Sequence, residues 1–259
     1  MIKRIVIKVG SAVLSENRVL AIARMTNLVE LIASLHVKGY EIILVSSGAV
    51  SAGYSKIQLN KKELANKQAL AAIGQPILLS TYETLFKKFD ILIAQVLVTS
   101  ANFHNSEQDN RVVKTIDTLI KNRVLPIVNE NDATAVEELV LGDNDQLSAY
   151  VASHVDADLL VMLSDIDAYF DKDPNVHSDA RARLYVKEIL KCALEKEVTP
   201  HNEFATGGIV TKLKAASYML EHNKPTFLAS GFNLKNVSSF LLDKKHIGGT
   251  LFSRRSLEW

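Results

Sequence analysis

The chain has 259 residues, 47% of them hydrophobic and 23% charged, with 30 Lys and Arg against 29 Asp and Glu. That length buries a large core, as one big α/β domain or two smaller ones, and the balanced charge argues against nucleic acid as the main partner. The lone Cys192 excludes an internal disulfide framework and fits a reducing compartment.

The N-terminal MIKRIVIKVGSAVL alternates as a strand does, is interrupted by Lys8 and lacks a small-residue cleavage site. A strand is expected there, not a leader peptide. Further strands are predicted at 41–46, 91–98, 124–129, 158–163, 225–229 and 249–253, after the first at 4–9. Between the first two, ARMTNLVELIASLHVKG carries Leu, Val and Ile at helical spacing and stops on Gly39. Strands apolar on both faces and separated by helices predict an α/β fold, a three-layer αβα sandwich with a mostly parallel central sheet. AVEELVLGD (135–143) reads as one arm of a small projecting hairpin, and DKDPNVHSDA as a polar loop punctuated by Pro174. No repeat or long linker breaks the pattern, so a single domain over 1–259 is expected, with nothing appended after the last strand. No window reaches the roughly 20 uninterrupted apolar residues of a membrane span, and a cytoplasmic protein is the default expectation.

In an open parallel sheet, ligands sit beyond the carboxyl ends of the strands. The polar segments KVGS (8–11), SSGAVSAG (46–53), NENDA (129–133) and LSD (163–165) all follow predicted strands. Lys8, at the end of a buried strand and just before Gly10, is placed to aim an ammonium group into that crevice. TGGIVTKLKAASYML (206–220) reads as a glycine loop opening a helix with Lys212 in its first turns. Glycine lets backbone approach a phosphate, and a helix N-terminus favours an anion. GDNDQLSA (142–149) gathers two acids and an amide where a helix begins, although one cap needs only one of them.

Several familiar chemistries are absent. The P-loop spacing is missing. Val45 stands where a serine-hydrolase elbow needs glycine. DNDQLSAYVASH lacks the later ligands of a calcium loop. His104, His154, His177 and His201 show no metal-ligand spacing.

Taken together, IKVGSAVL, VSSGAVSAG, KQALAAIGQ, NENDA, GDNDQLSA, LSDIDAYF and TGGIVTKLKAA resemble the amino acid kinase superfamily over nearly the whole chain. The similarity is greatest to its members that phosphorylate the γ-carboxylate of L-glutamate at the start of proline biosynthesis. The resemblance implies that Lys8 and Lys212 contact the transferring phosphoryl group while Asp145 orients both. It assigns Ser47, Asp132 and Asn144 to the amino acid. It assigns Lys8, Ser164, Asp165, Thr206, Gly207, Gly208, Ile209, Val210, Thr211 and Lys212 to ATP, with Mg²⁺ carried by the phosphates and no metal ligand from the protein. It further implies an amino-acid portion over about 1–157 and a nucleotide portion over about 158–259. Feedback inhibition by proline, a homo-oligomer (dimer or tetramer) and hand-off to glutamyl phosphate reductase also follow from it.

Ser164 stands where relatives often carry Thr, and AYF (168–170) where they carry Gly-Leu-Tyr. Many bacterial relatives also continue into an RNA-binding-like PUA domain, and a form without it is the expectation here. Two alternatives stay open: another acyl-phosphate-forming kinase such as acetylglutamate kinase, and a non-catalytic amino-acid sensor on the same fold. On the kinase reading Asp132 takes the substrate ammonium, Ser47 and nearby amides take the α-carboxylate, and Asp143 closes the turn or caps the helix.

Overall fold

The computed structural model describes residues 2–99, 102–103, 106–134, 144–174, 176–194, 208–257 and 259. The hairpin expected at 135–143 therefore lies outside the described residues, as do His104, Asp143, His201, Thr206 and Gly207.

Strand β1 (Arg4–Val9) leads into a short helix α1 (Ser11–Leu14), and a small hairpin, β2 (Ser15–Glu16) and β3 (Val19–Leu20), returns the chain to α2 (Ile22–Val37). There follow β4 (Glu41–Ser46), α3 (Ala49–Tyr54), α4 (Leu64–Phe86), β5 (Ile93–Val98), α5 (Ser106–Lys121) and β6 (Leu125–Glu130). The rest is α6 (Asn144–His154), β7 (Leu159–Ser164), β8 (Tyr185–Val186), α7 (Lys191–Leu194), α8 (Ile209–Glu221), β9 (Thr226–Ser230), α9 (Lys235–Leu242) and β10 (Thr250–Phe252). The seven predicted strands match to within two residues at each end. The β2–β3 hairpin and β8 were not expected. Each strand is two residues long, too short for a period, and the hairpin closes on Asn17 and Arg18 with φ of 48° and 67°. That is the pair of left-handed residues such tight turns need.

The main sheet runs β5-β6-β4-β1-β7-β9-β10-β8. The pairs from β5 to β9 and the β10–β8 pair are parallel, and among the described strands of this sheet only β9–β10 is antiparallel. Alternation along β1 explains the layers. Ile5, Ile7 and Val9 face one apolar cluster with residues of α2, α4 and α9. Val6 faces the other, with residues of α6 and α8. Lys8 shares the Val6 face by the period of two, so an ammonium-bearing side chain points under α6 and α8. The three-layer αβα sandwich is as expected. Among the described residues no helix is long and apolar enough to cross a membrane. Because β5, β6, β4, β1, β7 and β9 run the same way, their carboxyl ends line one edge, and the polar segments gather there.

Candidate active site

Three charged side chains from distant parts of the chain meet at this edge. Lys8 is 3% exposed, Lys212 5% and Asp145 0%. The Lys8 ammonium donates to Asp145 Oδ1 at 2.5 Å, and the Lys212 ammonium to Asp145 Oδ2 at 3.1 Å. The Thr211 hydroxyl also reaches Asp145 Oδ2 at 2.9 Å, and the Lys212 ammonium lies 3.4 Å from the Gly208 carbonyl.

Helical spacing accounts for the burial. On α6, Asp145 shares a stripe with Ser148, Ala149 and Ala152, three, four and seven residues on, all fully buried. On α8, Lys212 shares one with Ala215, Ala216 and Met219. The small alanines let the two helices lie close to each other, with α6 over β1 beside Lys8. Burying such charges is costly unless they are paired, and one carboxylate bridging two ammonium groups provides that pairing. The three groups carry two positive charges to one negative, which suits a site for an anion.

A second polar cluster contains no full charge. The Asn144 amide donates to the Ser47 hydroxyl at 2.9 Å, to Asn129 Oδ1 at 2.9 Å and to the Ser46 carbonyl at 3.1 Å. The Asn129 amide in turn donates to Gln75 Oε1 at 2.8 Å. Behind it, the Ser46 hydroxyl and the buried Tyr82 phenol lie 2.9 Å apart, and burial pushes the Tyr82 phenol up. The turn from β4 into α3 needs Gly48, whose φ is 104°. A cleft of about 450 Å³ opens beside this cluster, lined by Gln75, Glu83, Gln95, Glu130 and Asp132 among others. Burial raises the Asp132 carboxyl above its ordinary range, and the nearby Lys67 charge opposes that rise. A second groove of about 510 Å³, between Tyr185, Lys244, Arg254 and Trp259, borders β8 and β10, on the far side of β9 from β1.

The expected site residues thus fall into groups. Lys8, Thr211 and Lys212 all meet on Asp145, and Asn144 bonds to Ser47. Ser164 and Asp165 are joined by a 2.8 Å hydrogen bond at the end of β7. Gly208 opens α8 as its N-cap, with no side-chain cap among the described residues. Val210 is buried in the core, and Ile209, partly buried, packs against it. Sequence reasoning assigned no role to Gln75 or Asn129. Their signal was a polar residue closing an apolar strand and another just after a helical glycine, which alone does not pair them.

The family described as "Amino acid kinase family" matches residues 3–230. Among similar curated proteins, the glutamate 5-kinase of Leishmania donovani is 49% identical over 98% of this chain and 96% of its own length. The glutamate 5-kinase of Wolinella succinogenes is also 49% identical, over 96% of this chain and 97% of its own. A solved T. acidophilum isopentenyl phosphate kinase, in a product complex, has a TM-score of 0.68 at 13% identity and covers 96% of this chain and 100% of its own, a likeness of fold.

Proposed function

The chain belongs to the amino acid kinase family, and from that premise we propose that it moves the γ-phosphoryl group of ATP to the γ-carboxylate of L-glutamate. The products are L-glutamyl 5-phosphate and ADP, and the reaction is the first step of proline biosynthesis. The observation in the fold that carries this reading is the convergence of Lys8 and Lys212 on Asp145 at the carboxyl edge of the sheet.

In this reaction a carboxylate oxygen attacks the γ-phosphorus, the bond from that phosphorus to the β–γ bridging oxygen breaks, and ADP leaves. A free γ-carboxylate, with a pKa of about 4.3, is already ionised near neutral pH, so no general base is required. The difficulty is electrostatic. Unit anions 4 Å apart repel by about 4 kcal/mol at an effective dielectric of 20, and a triphosphate carries several charges. Positioned cations are then the main contribution of the protein.

On this reading Lys8 and Lys212 flank the transferring group, and Asp145 keeps both aimed at it. Thr211 steadies Asp145 through its hydroxyl. Asp132 takes the substrate ammonium, while Ser47 and Asn144 hold the amino acid from the β4 side. The N-terminus of α8, the 206–212 stretch and the Ser164–Asp165 pair serve the nucleotide, and Mg²⁺ arrives on its phosphates. The reading divides the chain at about residue 157 between amino-acid and nucleotide portions. The family resemblance further supports proline as feedback inhibitor, a homo-oligomer and hand-off to glutamyl phosphate reductase in the cytoplasm.

The test is ADP release with glutamate, aspartate and N-acetylglutamate, with and without proline. Turnover with glutamate and none with N-acetylglutamate is expected, because a blocked amine has no charge to offer Asp132. Preference for N-acetylglutamate would replace this reading with that of an acetylglutamate kinase. Binding of amino acid with no turnover of any substrate would make the protein a sensor.

A further inference from the structure

We infer that Gln75 and Asn129 are positioning residues that fix which end of the Asn144 amide faces the amino acid, an inference that rests on the proposed role of Asn144. The chain of bonds has a fixed polarity. The backbone N–H of Glu130 donates to Asn129 Oδ1 at 2.9 Å, and a backbone N–H only donates. This pins the oxygen end of Asn129, a residue only 1% exposed. Its nitrogen end must then donate, and Gln75 Oε1 accepts at 2.8 Å. The pinned oxygen also lies 2.9 Å from Asn144 Nδ2, whose two N–H groups are shared among it, the Ser47 hydroxyl and the Ser46 carbonyl. The nitrogen end of Asn144 is thereby committed to the protein. Its Oδ1, with no partner among the described residues, is left as an acceptor.

An acceptor there suits a substrate that brings donors. A free α-ammonium has three N–H groups, enough for both Asp132 and Asn144 Oδ1. Turning the amide over would set Oδ1 against the pinned Asn129 oxygen and the Ser46 carbonyl. The relay therefore selects for a free amine.

The far end of the relay is held by packing. A side chain at Gly74 would place its Cβ 1.8 Å from the Ala49 carbonyl oxygen and 2.4 Å from the Gly53 nitrogen. Helix α4 thus rests on α3 at that point, and Gln75, the next residue, is delivered to Asn129 at a fixed depth.

The test is steady-state kinetics of Asn144→Ala, Gln75→Met and the double variant, with Gln75→Glu as a variant that keeps an oxygen acceptor. Gln75 is only partly buried, and Gln75→Ala serves if Gln75→Met does not fold. Gln75→Met is expected to raise the KM for glutamate about ten-fold, the scale of one lost hydrogen bond, with little change in the KM for ATP. Gln75→Glu should recover most of that loss. In the Asn144→Ala background Gln75→Met should add nothing further. An effect that adds in full there, or no effect of Gln75→Met at all, overturns the relay while leaving Asn144 in place. An unchanged glutamate KM in Asn144→Ala removes Asn144 from the site, and the relay falls with it.

Discussion

The two polar clusters at the strand edge are built from different materials. Lys8, Asp145 and Lys212 meet as full charges under α6 and α8, with every exposed fraction at 5% or less. Gln75, Asn129, Asn144 and Ser47 meet as neutral amides and a hydroxyl between α4 and β4. Charge acts over distance and tolerates some error in direction, which suits a phosphoryl group whose charge is spread over several oxygens. Neutral hydrogen bonds weaken steeply away from linearity, which suits a small amino acid that must present one carboxylate and hide another. Loss of charge should therefore appear in kcat, and loss of an amide in the KM for one substrate.

The largest effect that would break this division lies in the charged cluster. Lys8→Met, Lys212→Met and Asp145→Asn should each lower kcat at least about 100-fold, on the scale of about 3 kcal/mol for a lost oxyanion-type donor. Circular dichroism checks that each variant is folded, since removing one partner of a buried ionic group also threatens stability by about 3–5 kcal/mol. Near-normal turnover in any folded variant would end the distinction.

Next in size is a packing change. Gly74→Val should lower the unfolding free energy by about 1–3 kcal/mol or more, because a Cβ there collides with backbone and not with a side chain that can turn aside. Thermal unfolding reads this. The same variant should raise the glutamate KM by displacing Gln75, and an unchanged KM would show that the amide cluster does not depend on how α4 is seated.

A smaller effect concerns Asp132. Its carboxyl is raised above 3.8 by burial, so it is ionised only above that raised value. Glutamate affinity should be complete above it and fall as the pH drops through it, beginning at a higher pH than for an ordinary carboxylate. Asp132→Asn should raise the glutamate KM and flatten that acid limb. A raised pKa also means that ionised Asp132 opposes folding at neutral pH, so Asp132→Asn should melt at a slightly higher temperature there. A glutamate KM that follows pH equally in both proteins would remove Asp132 from the amino acid.

Much of the fold was legible before the structure. Buried parallel strands are apolar runs of five or six residues between amphipathic helices, and β1, β4 and β7 could hardly be read otherwise. The burial of Asp145 and Lys212 was also written locally, in the small or apolar residues three, four and seven positions on. What local pattern could not supply was the pairing of groups far apart in sequence. Gln75 and Asn129 are 54 residues apart. Nothing in KQALAAIGQ or NENDA says that the last amide of one meets the first of the other. That contact depends on α4 lying on α3 at Gly74, a consequence of tertiary packing. The strands of β2–β3 and β8 were missed because two residues leave no alternation to read.

The most direct test of the central claim is a crystal structure with glutamate and a non-hydrolysable ATP analogue. The ammonium groups of Lys8 and Lys212 should both lie about 2.7–3.2 Å from oxygens of the γ-phosphoryl group, with the glutamate γ-carboxylate on its opposite side. A fully occupied complex in which either lysine remains on Asp145 alone, out of reach of the γ-phosphoryl oxygens, would contradict the account.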